Sequence, residues 1–166
     1  MAENNNKLEQ NQKEQPMTFL GRSLLTGFIG GIFWSLIGLF MYYFNFAEIS
    51  PKFLLVTSWT KASWTNGWLG NLVTVILAGI LSIVIAYVYL LLFKKINTMW
   101  MGVIYGVLLW VIIFYVAQPM FANIPTITSL HSHTIISTLS LFLLYGTFIG
   151  YSISYDYHDS QLGEVK

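Results

Sequence analysis

The feature that most constrains this 166-residue chain is the spacing of its charges. Three runs carry no Asp, Glu, Lys or Arg: residues 23–47, 62–93 and 96–155. A helix needs about 20 apolar residues to cross roughly 30 Å of hydrocarbon. The first two runs each fit one crossing. The third fits two crossings with a break between them, which Pro119 and Pro125 mark.

The runs therefore predict four membrane spans, at residues 24–46, 69–93, 100–118 and 135–154. Helix is favoured over strand because backbone groups in hydrocarbon must bond within their own segment or within a closed barrel. Barrel strands would show alternating segments of about ten residues, whereas these runs are apolar on all sides. We predict an all-α integral membrane protein, a four-transmembrane-helix bundle.

Three regions follow from this prediction. Residues 1–22 are polar, with Asn, Lys and Glu interspersed, and are expected to form a disordered tail. Residues 23–155 form the membrane domain. Residues 156–166 form a second, solvated tail.

The overall composition agrees with a membrane protein. Only 9% of residues are charged and 55% are hydrophobic, whereas soluble domains carry about 25% charged residues. The net charge of +1 provides no basic excess for nucleic-acid phosphates, so no nucleic-acid partner is expected. Cysteine is absent, which excludes disulfides and iron–sulfur clusters. The lipid bilayer is the expected environment, and no cofactor is predicted.

Lysine and arginine near the span ends predict the orientation. One side would carry most of them: Lys7, Lys13, Arg22, Lys94, Lys95 and Lys166. The other side would carry only Lys52 and Lys61. Basic residues accumulate on the cytoplasmic side, so both termini are predicted to be cytoplasmic.

The segment at residues 48–68, between spans one and two, is predicted to contain a short interfacial helix. Ser50-Pro51 is a good helix start, with Ser as N-cap and Pro in the first turn. Trp59, Trp64 and Trp68 would then lie at headgroup level. The favoured interpretation is an aromatic anchor for span two. The alternative is a contact surface for a partner protein or a lipid headgroup.

Small residues recur at every fourth position in each span. Such stripes let helix backbones approach closely, which is how helices associate in lipid. The predicted packing residues are Gly27, Gly31, Gly70, Thr74, Ala78, Ser82, Gly102, Gly106, Gly146 and Gly150. They are expected to pack the helices of one bundle, with contact between copies of the chain as the alternative.

The one compact group of metal-ligand residues is His131-Ser132-His133. Two imidazoles can begin a zinc or copper site, but a third ligand is not obvious, so His131 and His133 are weak metal candidates. A pH-sensitive loop is an alternative, because imidazole titrates near pH 6.5. The favoured interpretation is that both are ordinary interfacial polar residues.

The whole chain resembles the YqhR-type conserved membrane proteins of Bacillus relatives. The resemblance is carried by the overall layout and by three stretches, at residues 21–46, 58–71 and 92–106. These begin GRSLLTGFIGG, SWTKASWTNG and LFKKINTMWMG. The resemblance implies a small multi-span protein of the bacterial cytoplasmic membrane. It implies no activity, so no functional residue is transferred.

The favoured function is that of a non-enzymatic accessory or interaction protein, with a membrane-protein partner or a second copy of the chain. This follows from the lack of charge within the spans, since charged residues there usually mark ion paths or relays. A small-molecule or lipid transporter or channel subunit is the alternative. It would need a hydrated path lined by Asn71, Thr74 and Ser82, or by broken helices. An intramembrane enzyme is the third and weakest class.

Overall fold

In the computed structural model, residues 17–52, 56–57, 60, 62–93, 96, 98–120 and 125–163 are described. Four long helices dominate: α1 (Phe19–Tyr43), α2 (Trp68–Phe93), α3 (Met99–Val111) and α4 (Ser132–Gly163). A π-helical turn, Ile112–Ala117, continues α3. Short 3-10 turns lie at Ser63–Asn66, Gln118–Met120 and Ile127–Ser129. Four helices are long and apolar enough to cross a membrane, counting α3 through Ala117. The predicted all-α, four-span architecture is confirmed.

The ends of α1 and α4 differ from the predicted bounds. α1 starts at Phe19, inside the predicted tail, because the Thr18 hydroxyl caps it by accepting a bond from Gly21 N at 3.4 Å. It stops at Tyr43, and Asn45 follows with a φ of 59°, which turns the chain out of the helix. α4 continues to Gly163, so the helix extends beyond the predicted end of span four at residue 154 and includes residues 156–163.

The predicted interfacial helix over residues 48–68 is not confirmed. Within this segment Pro51 and Lys52 are helical, Val56 and Thr57 have π-helical geometry, and a short 3-10 turn at Ser63–Asn66 directly precedes α2. Residues 53–55, 58–59 and 61, including Trp59, lie outside the described residues. Trp64 and Trp68 are both exposed, as a headgroup-level position requires.

Small residues join α1 and α2 into a closely packed antiparallel hairpin. A Cβ added to Gly27 would lie 2.6 Å from the Ala86 Cβ, and one added to Gly31 would lie 2.6 Å from the Ala78 carbonyl oxygen. The Ser82 hydroxyl donates to the Gly27 carbonyl at 2.6 Å. Glycine at these two positions of α1 therefore lets the backbone of α2 approach to contact distance.

A second hairpin, of α3 and α4, is built in the same way. A Cβ added to Gly102 would lie 2.8 Å from the Gly146 carbonyl oxygen, and one added to Gly150 would lie 2.6 Å from the Gly102 Cα. Gly106 also lies against Gly146. α4 packs in addition against α1, where Gly30 meets the Ile149 side chain. α4 is thus the helix that joins the two hairpins.

Two further residues of the predicted stripes, Gly70 and Thr74, make contacts at the start of α2. A Cβ on Gly70 would collide with the backbone of Thr65, in the turn that precedes α2. Thr74 is fully buried, and its hydroxyl donates to the Gly70 carbonyl one turn back at 2.7 Å. These residues fix how the chain enters α2.

α1 places small residues inside the bundle and large apolar residues outside, whereas the other helices also bury large side chains such as Tyr89, Trp110 and Tyr145. The buried residues of α1 are almost all glycine or serine. Its exposed residues include Leu25, Ile29, Phe33, Leu36 and Phe40. A water-soluble bundle would bury the large apolar side chains instead. This distribution fits helices whose outer surface contacts lipid.

We expect Gly146→Ala to destabilise the bundle, because its new methyl group would meet the backbones of Gly102 and Gly106. Overpacking of this kind costs about 1–3 kcal/mol. The measurement is an unfolding titration with a denaturing detergent. Gly21→Ala is the matched control, because its Cβ would meet only ordinary contacts at 3.4 Å. Equal stability of the two variants would contradict the packing described above.

Candidate binding site between the helix hairpins

An apolar cleft separates the two hairpins along part of their length. α1 packs against α2, α3 against α4, and α4 against α1, whereas α2 and α3 make few contacts. The cleft has a volume of about 160 Å³. Its walls come from Gly31, Trp34, Ser35, Gly38 and Met41 of α1; Ala78, Leu81, Ser82 and Ile85 of α2; Ile113 and Phe114; and Thr138, Leu141, Phe142 and Tyr145 of α4.

The polar atoms in these walls are used by the protein itself. The Ser82 hydroxyl donates to the Gly27 carbonyl, so the Tyr145 hydroxyl must donate to the Ser82 oxygen, which lies 2.5 Å away. The Thr138 hydroxyl accepts from the Trp110 indole at 3.1 Å. An exception is Trp34 Nε1, which is buried without an acceptor among the described residues. The cleft is therefore apolar apart from one free donor.

Two tyrosines connect α2 and α3 next to the cleft. Tyr105 of α3 donates its hydroxyl hydrogen to the carbonyl of Ile85, a residue of the cleft wall, at 2.7 Å. Its ring packs edge to face on Tyr89, with centroids 5.0 Å apart. We call the side of the bundle that holds the first residue of α1 and the last residue of α4 the terminal side, and the opposite side the loop side. The contact between Tyr105 and α2 lies towards the terminal side, and it is where α2 and α3 meet.

A short strap covers the loop-side end. Ala47, Ile49, Ser50 and Pro51, which follow α1, line the cleft from this side. Ala47 and Ser50 are buried. The strap thus covers the cleft at its loop-side end as a roof. Elsewhere the cleft is only partly enclosed by the side chains of its walls.

The strap is held to the start of α4 through Glu48. The His131 ring nitrogen Nδ1 donates to Glu48 Oε1 at 2.5 Å, and the His131 backbone N–H donates to Oε2 at 3.3 Å. In return, the Glu48 backbone N–H donates to the Thr134 hydroxyl at 3.2 Å. Hydrogen bonds from the backbone and the ring of His131 lower the pKa of the Glu48 carboxyl below its ordinary value of 4.5.

A polar depression, which we call the cup, adjoins the cleft on the loop side. Tyr42, Tyr43, Asn45, Ala47, Glu48 and His133 line it. Ala47 lines both the cup and the cleft. The Tyr43 hydroxyl accepts a bond from the Asn71 amide at 2.6 Å, which ties the cup to α2. An apolar space and a polar space thus lie side by side.

The two candidate metal residues do lie together, and they have a carboxylate beside them. The rings of His131 and His133 stack with centroids 5.4 Å apart, and Glu48 contacts His131. Within the described part of the chain, however, no group of three His, Cys, Asp or Glu is placed to hold a metal ion. Glu48 orients His131 instead. Sequence reasoning missed this pairing because 83 positions separate the two residues.

We expect the Glu48–His131 contact to make the stability of the fold decrease as the pH falls below about 4.5. The folded state holds the Glu48 pKa below 4.5, so the unfolded state binds more protons in this window. The stabilisation is complete above pH 4.5 and is lost as the pH falls through the folded pKa. Thermal unfolding in detergent measures it.

Glu48→Gln and His131→Gln should both remove this part of the pH dependence, because either change breaks the same contact. Above pH 5, both variants should be slightly less stable than the unchanged protein. A Glu48→Gln variant that kept the full acid-induced decline would show that other carboxyl groups cause it.

Comparison with known proteins identifies relatives but no solved fold. The profile of a family described as "Conserved membrane protein YqhR" matches residues 3–166. A protein of Bacillus subtilis (strain 168), described as "Uncharacterized protein YqhR", is 43% identical over 158 residues, which is 95% of this chain and 88% of the relative. No solved structure matches the chain.

Proposed function

The chain belongs to the YqhR family of conserved membrane proteins, and we propose that this protein is a non-enzymatic accessory protein that binds another membrane component. Because the protein is a membrane protein, its cleft would open to other components of the bilayer. The single observation that carries this proposal is the apolar cleft between two rigid hairpins. Pockets that bind small molecules are generally concave, largely apolar and preformed, with a few polar groups at fixed positions. The cleft and the cup have these properties.

Binding is favoured over transport by the extent of the cleft. Its lining on α1 begins at Gly31, near the middle of that helix, whereas a path for a solute must continue across the membrane. The polar residues expected along such a path are engaged elsewhere. Thr74 bonds within α2, Ser82 bonds α1, and Asn71 bonds Tyr43.

Binding is also favoured over the alternative in which two copies of the chain contact each other through their small-residue stripes. The glycines of α1, α3 and α4 are occupied by helix contacts within one chain. A second copy would have to use the outer surface, which carries large side chains such as Phe33 and Leu91. Partner contact through exposed Trp64 and Trp68 is compatible with the proposal and would lie outside the cleft.

The binding proposal is tested by photocrosslinking in living cells. A benzophenone amino acid replaces Leu81 on α2 or Ile113 after α3, so that the two probes face the cleft from different walls. The control position is Leu25, which is exposed and does not line the cleft. We expect one defined adduct, protein or lipid, from both cleft positions and not from Leu25. The same adduct pattern at all three positions would refute a specific occupant.

We further propose that the protein lies in the bacterial cytoplasmic membrane with both termini in the cytoplasm. The excess of lysine and arginine on the terminal side supports this orientation. The first residue of α1 and the last residue of α4 lie on the same side of the bundle, because the four helices run in alternating directions.

Cysteine labelling in intact cells tests the orientation, because the chain has no native cysteine. A cysteine at the exposed Ser129, on the loop side, should react with a membrane-impermeant maleimide. A cysteine at Ala2 should react only after the cells are permeabilised. Labelling of Ala2→Cys in intact cells would reverse the orientation.

A further inference from the structure

We propose that the cleft and the cup together bind one phospholipid with an ammonium-bearing headgroup, with one acyl chain in the cleft and the headgroup in the cup. This identification of the occupant rests on the binding function proposed above. It follows from the length of the cleft, its size and the charge of the cup.

The length of the cleft matches the hydrocarbon of one leaflet. On α1 it extends from Gly31 to Met41, two residues before the helix ends. Ten helical residues span about 15 Å, which is half of the roughly 30 Å hydrocarbon core. The cleft therefore runs from the loop-side interface to about the middle of the bilayer, as an acyl chain does.

The size of the cleft favours a chain over a helix. Apolar cavities of roughly 150 Å³ accept a single small apolar molecule, and the cleft has about 160 Å³. A partner helix would also have to cross both leaflets, whereas the lining of the cleft on α1 begins at Gly31, near the middle of that helix. A single slender chain therefore matches the cleft better than a helix does.

The cup supplies contacts for a headgroup beside the cleft on the loop side. Ala47 lines both the cup and the cleft, so a molecule with its chain in the cleft places its polar end at the cup. The formal charge in the cup is the Glu48 carboxylate, accompanied by neutral tyrosine and asparagine groups and by His133. Both oxygens of Glu48 contact His131, and each keeps a second lone pair for another donor.

An ammonium group is the headgroup element that complements this cup. It offers three donors and a positive charge to the carboxylate. A headgroup with net negative charge would be repelled by Glu48.

Native mass spectrometry of the full chain tests the proposal. The protein is reconstituted in vesicles with equal parts of phosphatidylethanolamine, phosphatidylglycerol and diglucosyldiacylglycerol, and then released from mild detergent. We expect one retained phosphatidylethanolamine per chain, preferred over phosphatidylglycerol by about threefold, as one exposed ion pair would give. Glu48→Gln should abolish the headgroup preference while a lipid is still retained.

Variants that fill the cleft test the position of the chain. Ala78→Phe should lose the retained lipid, whereas Ile80→Phe, at an exposed position on the same helix, should keep it. Ile113→Phe fills the cleft from the opposite wall and serves if Ala78→Phe does not fold. Retention of the lipid by a folded filled variant would overturn the proposal, as would equal retention of all three lipids.

The outcome also separates this proposal from the binding function. A protein adduct from Leu81 and Ile113 in cells, with no retained lipid, would overturn the lipid assignment alone. Retention of an apolar molecule with a carbonyl group, such as a quinone, would also overturn the lipid assignment alone. Trp34 Nε1–H, which has no acceptor among the described residues, could donate to such a carbonyl group. The absence of any cleft-specific adduct would refute both.

Discussion

Close approach of helix backbones at small residues is the constraint on which the rest of this structure depends. Lipid surrounds the helices, so burying apolar side chains gives little drive for association, and packing at short distance takes its place. Gly27 and Gly31 allow this for α1 on α2, and Gly102 and Gly146 allow it for α3 on α4. A side chain at any of these positions would force two backbones apart.

Close packing at these small residues produces two helix hairpins. The apolar space between the hairpins is the feature that supports a binding function. Because each hairpin is held along its length, the hairpins do not collapse onto each other where α2 and α3 diverge. Tyr105 joins them near the terminal side through the Ile85 carbonyl, and the strap joins them on the loop side through Glu48 and His131. The cleft lies between these two attachments.

The same arrangement explains how polar groups are tolerated among apolar ones. A hydroxyl in hydrocarbon must find a partner, and Ser82 does so by linking Tyr145 of α4 to Gly27 of α1. Three helices thereby share one short chain of hydrogen bonds. The ionic contacts stay near the bundle ends, with Glu48–His131 on the loop side and Arg22–Asp156 on the terminal side.

The amino-acid sequence by itself determined the helical class, the number of spans and the small-residue faces, because each depends on local spacing along one segment. It placed helix ends less well, since α4 continues through Asp156, where the chain has already passed the apolar stretch. Only the tertiary structure decided which small-residue faces meet, that Gly70 packs against its own preceding turn, and that Glu48 reaches His131. Pairing between distant segments depends on how four helices fit together in space, and the spacing within any one of them does not contain that information.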